Sequence, residues 1–256
     1  QIKNHIRPEL GAIRLDTLNP HTIQRFYNGL GEEKDGKPGL SPKSIKIVHG
    51  VLHKVMGQAV ALGYLQSNPA DKCTLPKVVR KELNPLDEDA ITRFMEAIKG
   101  HRFELVFLVT LFTGMRQGEV LGLAWDCVDF DRGTISIRRQ LQKATDSTGE
   151  YRLLTPKNGK GRTITPAPFV MELLQTQRRR QAEWKLAIGS AWEDSGLVFT
   201  NEMGRHLMPQ TVRRGFKRVA ASIGCADTRF HDLRHSYAVA AIKSGDDIKT
   251  VQGNLG

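Results

Sequence analysis

The apolar pattern changes period twice along the chain, which excludes a pure helical bundle, a β-sandwich and a β-barrel at once. Up to residue 70 the period is helical. Ile23, Phe26, Tyr27 and Leu30 recur at helical spacing in NPHTIQRFYNGL, and a polar, Gly-rich loop follows. SPKSIKIVHGVLHKVMGQAVALGYL then places Ile45, Val48, Leu52, Val55, Met56 and Ala59 on one stripe, with Ser41 as N-cap and Pro42 in the first turn. A second helical pattern starts at Asp87, runs through FELVFLVTLF to Thr113, and is followed by a helix beginning near Arg116. After Asp131 the period becomes two: GTISIRRQ, YRLLTPK and KGRTITP read as three strands. Asn158-Gly159 between the last two signals a tight hairpin, because both turn positions need positive φ. From Pro168 onward the helical period returns. The expected class is therefore mainly α with a small antiparallel β-sheet, an α+β fold.

Prolines at 69, 76 and 85 and the basic run KVVRK interrupt the periodic pattern, so a linker is expected at residues 71–85. It would separate a helical domain, 1–70, from a mixed domain, 86–256. The longest strongly apolar stretch, Leu105 to Met115, has 11 residues, whereas a membrane span needs about 20. No membrane partner is expected. The opening QIKNHIRPEL has no apolar signal region and no initiator Met, so the chain is expected to start inside a longer protein. Cys73, Cys127 and Cys225 fit neither a disulfide framework nor paired zinc ligands, which points to a reducing cytoplasmic setting. The histidines and carboxylates form no H-x-H or H-E-x-x-H cluster, so no metal or cofactor is expected and a metal nuclease is the weakest reading.

The formal charge is +11, unevenly distributed. Residues 82–131 hold ten acidic and four basic side chains, whereas residues 132–180 hold eleven basic and three acidic. A second basic stretch, 205–249, includes Arg213, Arg214, Lys217 and Arg218. Such clusters suit a polyanion, since each neutralised phosphate releases counterions. Single clusters also occur on merely solvated helix faces, and the same alternative holds for Lys43, Lys46 and Lys54, which lie off the apolar stripe of their helix.

Three places carry candidate chemistry: Arg116 in TGMRQGEVLGLAW, Lys157 in TPKNGKGRTIT, and His231 with Arg234 in HDLRHSYAV. On a helix, His231 and Arg234 leave from the same face. Two guanidiniums could hold both non-bridging oxygens of a phosphodiester while charge develops there. Spacing alone leaves other roles open, and Arg116 equally fits a helix cap or a partner of Glu119.

Together these segments resemble the tyrosine recombinase (phage integrase) family, particularly its lambda-like and conjugative-transposon integrases. TGMRQGEVLGLAWDCVDF matches the family's T-G-x-R-x-x-E-x-x-x-L-x-W-x-D stretch, and RFHDLRHSYAV its H-x-L-R-H box. SIKIVHGVLHKVMGQAVALGYLQSNPA is similar to the last helix of the family's helical core-binding domain, ending at Asn-Pro. The resemblance implies a SAM-like core-binding domain and a mixed α/β catalytic domain closing as a clamp on duplex DNA. It also implies metal-free strand cleavage and rejoining through a 3′-phosphotyrosyl intermediate, serving integration and excision of a mobile element. Carried over, Arg116 and Arg234 clamp the phosphate, Lys157 protonates the leaving 5′-oxygen, and His231 hydrogen-bonds the phosphate or accepts a proton. Glu119 and Asp232 take structural places. The implied partners are double-stranded DNA, a homotetramer on that DNA, and an accessory excision or DNA-bending factor. Lys43, Lys46, Arg213 and Arg214 are candidate DNA contacts. Arg162 joins them, its strand position facing either DNA or an acidic neighbour.

Two departures from the family pattern matter. The loop after Lys157 differs from the usual K-T-x-x-S-x-R, which leaves Lys160 as an alternative general acid. The family's nucleophilic Tyr, expected some residues after Leu-Gly, is absent from the sequence, which stops at NLG. Tyr237, in the H-x-L-R-H box, reads as a packing residue. The chain is thus expected to be a piece of a longer integrase. The rival readings are a type IB topoisomerase-like strand cleaver and a non-catalytic DNA-binding protein of the same fold.

Overall fold

The computed structural model describes residues 1–34, 36–79, 84–144, 146, 149–156, 159 and 161–256. They fall into two compact units, Gln1–Lys81 and Glu82–Gly256. The first is helical. A helical segment, Ile2–Ile6, runs into α1 (Arg7–Leu10) and is followed by α2 (Pro20–Gly31), α3 (Pro42–Ala61) and a 3-10 turn, Pro69–Lys72. Asn19 caps α2 by accepting the Thr22 N–H, and Ser41 caps α3 by accepting that of Ser44; Pro fills the first helical position of both. Ile23, Phe26 and Tyr27 of α2 bury against Ile45, Val48, Leu52 and Met56 of α3. Val55, expected on that stripe, is instead 48% exposed. The core-facing row runs Val48, Leu52, Met56 at i+4 spacing, and Val55 lies about 100° around the helix from Met56.

In the second unit, α4 (Glu88–Ala97) begins at Asp87, whose Oδ1 accepts the Ala90 N–H at 2.7 Å. The expected continuous helix to Thr113 is in fact two. Gly100 takes a left-handed φ of 71° and gives its N–H to Glu104 Oε2, so the chain turns and restarts as α5 (Glu104–Thr113). α5 is the central helix of the unit, buried on nearly every side. Its Thr110 and Thr113 hydroxyls donate to the carbonyls of Val106 and Val109, so neither is left unpaired. Phe107 on α5 meets Phe94, Phe216 and Phe230 at ring-centroid distances of 6.0, 5.9 and 6.1 Å. Around α5 pack α6 (Gln117–Leu121), α7 (Pro168–Ile188) and α9 (Asp232–Lys243); α8 (Pro209–Ser222) and α10 (Ile248–Leu255) complete the unit. Trp125, just after α6, donates its indole N–H to Gln181 on α7 at 2.8 Å.

The strands form two small antiparallel sheets, where one was expected. β1 (Val128–Asp129), β2 (Thr134–Ile137) and β5 (Arg162–Ile164) make one in the order β1-β2-β5; β3 (Gln140–Lys143) and β4 (Tyr151–Leu154) make the other. YRLLTPK and KGRTITP therefore do not pair with each other: β4 pairs with β3, and β5 with β2, Ile135 opposite Ile164. The split occurs at Arg138-Arg139. Ile135, Ile137 and Leu141 are buried, but the intervening position of that parity is Arg139, which turns to Asp126 at 2.6 Å. Asn158 of the expected turn lies outside the described residues.

Candidate active site

Arg116 is the N-cap of α6, with extended backbone at φ −67°, ψ 151°. Its own N–H donates to Glu119 Oε2 at 2.9 Å, and its Nη1 to Glu119 Oε1 at 2.8 Å. Both roles that spacing left open, cap and partner of Glu119, are thus realised together. Its Nη2 donates to the Gly256 carbonyl at 2.7 Å.

Arg234, on the first turn of α9, is 8% exposed. Nη1 donates to the Gly114 carbonyl at 2.8 Å and Nη2 to that of Leu255 at 2.7 Å, with Gly256 O at 3.5 Å. Two guanidiniums from separate helices therefore reach toward one oxygen. Burial, followed by repulsion from Arg116, lowers the Arg234 pKa to about 10, so it remains a cation at neutral pH. Gly114 makes the approach of these elements feasible. It ends α5 with φ 64°, and a Cβ there would lie 2.5 Å from the Tyr237 ring and 2.7 Å from Leu255. Tyr237 accordingly packs under Gly114, and its hydroxyl accepts from Asn254 Nδ2 at 3.2 Å.

His231 caps the start of α9, its ring 5.0 Å from that of His235. Desolvation, His235 and Arg234 hold its pKa below the ordinary histidine value, so the neutral ring predominates at pH 7. The turn carrying it is fixed by Asp232. This buried carboxylate accepts the backbone N–H, Nε and Nη2 of Arg229 at 2.7, 3.1 and 2.8 Å. Burial raises the Asp232 pKa, but the bonds from Arg229 outweigh it and the net direction is down. Ser236, one turn on, accepts the Leu86 N–H at 2.8 Å and ties α9 to the chain entering the unit.

Of the two settings open to Arg162, DNA or an acidic neighbour, the structure has the second. Nη1 and Nη2 form a fork on Glu119 Oε1 and Oε2 at 3.0 and 2.7 Å, and Nε donates to the Asn254 carbonyl at 2.8 Å. All three of its nitrogens are engaged and its side chain is 12% exposed, so as a candidate DNA contact Arg162 is corrected to a partner of Glu119 in this structure. Glu119 itself has no solvent exposure. Burial drives its pKa up, yet the bonds from Arg162 and from the Arg116 N–H prevail, and the carboxyl stays ionised.

Among the described residues Arg116 and Arg162 share the Glu119 carboxylate, and Arg162, Arg234 and Arg116 donate to the backbone oxygens of Asn254, Leu255 and Gly256. Arg116, Glu119 and Arg162 line a cleft of about 790 Å³ together with Gln140, Thr155 and Pro156. Lys157 and Lys160 lie outside the described residues, though Thr155 and Pro156 just before them belong to the cleft wall. Gln140 and Thr155 had no signal in the sequence. Gln117 also escaped notice: its amide gives a hydrogen to Pro209 O at 2.9 Å and its oxygen accepts from Arg213 at 3.2 Å, joining α6 to α8. On α8, Val212, Phe216 and Val219 face inward and Arg213, Arg214, Lys217 and Arg218 outward, while Lys43 and Lys46 are exposed on α3 of the first unit. Among the described residues no three His, Cys, Asp or Glu side chains are grouped to hold a metal. No described helix is long and apolar enough to cross a membrane.

The Phage integrase family profile matches residues 84–256, and the profile of the Phage integrase, N-terminal SAM-like domain matches residues 1–31. A tyrosine recombinase described as XerC-like, from Caldanaerobacter subterraneus subsp. tengcongensis, is 32% identical over 274 residues, which cover 99% of this chain and 68% of that protein. The Tn1549 transposon integrase in complex with a circular intermediate DNA superposes with a TM-score of 0.80 at 19% identity, covering 96% of this chain and 79% of its own. A lambda integrase tetramer bound to a Holliday junction gives 0.70 at 18% identity, with 98% and 67% covered. At such identities the structural likeness is one of fold.

Proposed function

The chain belongs to the phage integrase family, a family of site-specific tyrosine recombinases, and on that premise we propose that Arg116, Arg234 and His231 form the seat at which a DNA phosphate is cut and rejoined. The observation that carries the proposal is the convergence of Arg116 Nη2 and Arg234 Nη2 on the Gly256 oxygen, with Glu119 the one carboxylate that bonds these arginines or Arg162 among the described residues. A phosphodiester brings the anion this arrangement lacks, and its non-bridging oxygens suit the donors of two guanidiniums. As a tyrosyl oxygen attacks phosphorus, charge grows on those oxygens and both arginines stabilise it without transferring a proton. Neutral His231 hydrogen-bonds the phosphate or takes the proton of the attacking hydroxyl. Lys157 gives a proton to the leaving 5′-oxygen, with Lys160 as the alternative. The bond broken between phosphorus and the 5′-oxygen is replaced by one to tyrosine, and the reverse step with a partner strand restores a phosphodiester.

Residues 1–70 act as the core-binding domain, 71–85 as the linker and 86–256 as the catalytic domain. The compact units at Gln1–Lys81 and Glu82–Gly256 and the family match beginning at residue 84 support this division. Lys43, Lys46, Arg213 and Arg214 contact DNA phosphates. The working assembly is a tetramer on DNA in the bacterial cytoplasm, helped by an accessory excision or DNA-bending factor. The test uses the full-length protein and a nicked duplex whose site has been selected from random-sequence DNA by binding. A covalent complex is expected in the presence of EDTA, and Arg234→Ala should abolish it while salt-dependent binding persists. A strict magnesium requirement, or an unaffected Arg234→Ala, refutes the proposal.

A further inference from the structure

We propose that Arg162 is a positioning residue for strand cleavage: by occupying both oxygens of Glu119 it keeps Arg116 from closing on that carboxylate, leaving Arg116 Nη2 turned toward the phosphate. The inference rests on the reading of Arg116 as a phosphate clamp. Its basis is a competition between two identical forks for one carboxylate.

A guanidinium beside a carboxylate prefers to bond through two parallel N–H groups. Arg162 does so, at 3.0 and 2.7 Å, from strand β5. Arg116 approaches the same carboxylate with one side-chain nitrogen only, Nη1 to Oε1 at 2.8 Å, because Oε2 already accepts from Arg162 and from the Arg116 backbone N–H. Its Nη2 is consequently free to reach the Gly256 carbonyl at the cleft. Without Arg162, a wholly buried anion would keep Arg116 as its only cation among the partners the structure gives it. An uncompensated buried charge is strongly disfavoured, so the Arg116 fork would rotate to take both oxygens and withdraw Nη2. Arg162 has a second hold on the site. Its Nε bonds the Asn254 carbonyl, and Arg234 and Arg116 bond the next two carbonyls of the same helix end. One side chain thus sets both the aim of Arg116 and the seat of α10.

The test compares Arg162→Gln, Arg162→Lys, Glu119→Gln/Arg162→Gln and Arg116→Ala in the full-length protein, on the nicked duplex described above. Arg162→Gln should slow formation of the covalent complex about 10²-fold, the usual effect of removing one transition-state donor. The slope of log Kd against log salt should stay unchanged, whereas loss of a phosphate contact would reduce it by about 0.9. In the double variant the neutral amide at 119 no longer draws Arg116 in, so cleavage should recover at least about tenfold over Arg162→Gln, a rescue that a purely structural role does not predict. Arg162→Lys keeps the charge without the fork and should fall between Arg162→Gln and the wild type. If Arg162→Gln fails to fold, the Lys and double variants decide. A wild-type rate in Arg162→Lys, no recovery in the double variant, or a reduced salt slope overturns the proposal. Arg116→Ala separates it from its premise: wild-type cleavage there sinks the clamp itself, while an inactive Arg116→Ala beside a fully active Arg162→Gln sinks only the positioning role.

Discussion

Replacing Gly114 by Ala should destabilise the second unit more than any ordinary Gly-to-Ala change. The residue sits at φ 64°, a conformation that costs an L-amino acid about 1–2 kcal/mol. The new methyl would stand 2.5 Å from Tyr237 Cδ1 and 2.7 Å from Leu255 Cδ2, well inside van der Waals contact. Crowding of this kind in a packed site adds about 1–3 kcal/mol, for a total of about 2–5 kcal/mol. Urea titration followed by tryptophan fluorescence reads the right part of the chain, because Trp125, Trp184 and Trp192 all lie beyond residue 82. With a slope of about 2 kcal/mol per molar urea, the midpoint should fall by about 1–2.5 M. Adding Tyr237→Ala removes the nearest clashing atoms and leaves only the backbone term and the contact with Leu255. The double variant should therefore be less destabilised than the two singles summed, by about 1–3 kcal/mol. Since the Gly114 carbonyl accepts from Arg234, the folded single variant should also cleave DNA more slowly. An unmoved midpoint, or strict additivity with Tyr237→Ala, would refute the assignment of Gly114 as the point of closest approach.

Three further outcomes are expected. Phe107→Ala removes the ring that Phe94, Phe103, Phe216 and Phe230 all meet and should lower the same fluorescence-detected stability by about 3–5 kcal/mol. The rate of covalent complex formation should fall on acidification as His231 takes up a proton. Its folded pKa is depressed by burial, His235 and Arg234, so that fall should centre below the ordinary histidine value; His231→Asn should remove that limb of the profile, and an unchanged limb counts against His231. Arg213→Ala should weaken binding alike to the selected site and to unrelated duplex, and reduce the salt slope by about 0.9, as measured by fluorescence anisotropy.

Much of the candidate site's local geometry was legible in the sequence because its signals are local. His231 and Arg234 share a helical face through a spacing of three residues, and Arg116 lies three residues before the Glu119 that holds it. Caps at Asn19, Ser41 and Asp87 follow from side chains that reach their own helix. The strand pairing was not legible. Alternation tells which face of a strand is buried but not which strand lies beside it, and so β4 was matched with β5 when its neighbour is β3. The break between α4 and α5 depends on one left-handed Gly100 within an otherwise continuous apolar pattern.

What the sequence alone determined is most of the helices, most of their buried faces and the residue types that meet at the candidate site. Those properties depend on spacings of up to four residues, which the covalent chain imposes directly. The tertiary structure decided how three chemically identical arginines divide their work. Arg162 reaches Glu119 across 43 residues, Arg234 reaches the Gly114 carbonyl across 120, and Arg116 is left with one nitrogen toward the cleft. Which guanidinium forks onto the buried carboxylate and which keeps a nitrogen toward the cleft is a matter of distance from that single charge, and only packing sets those distances.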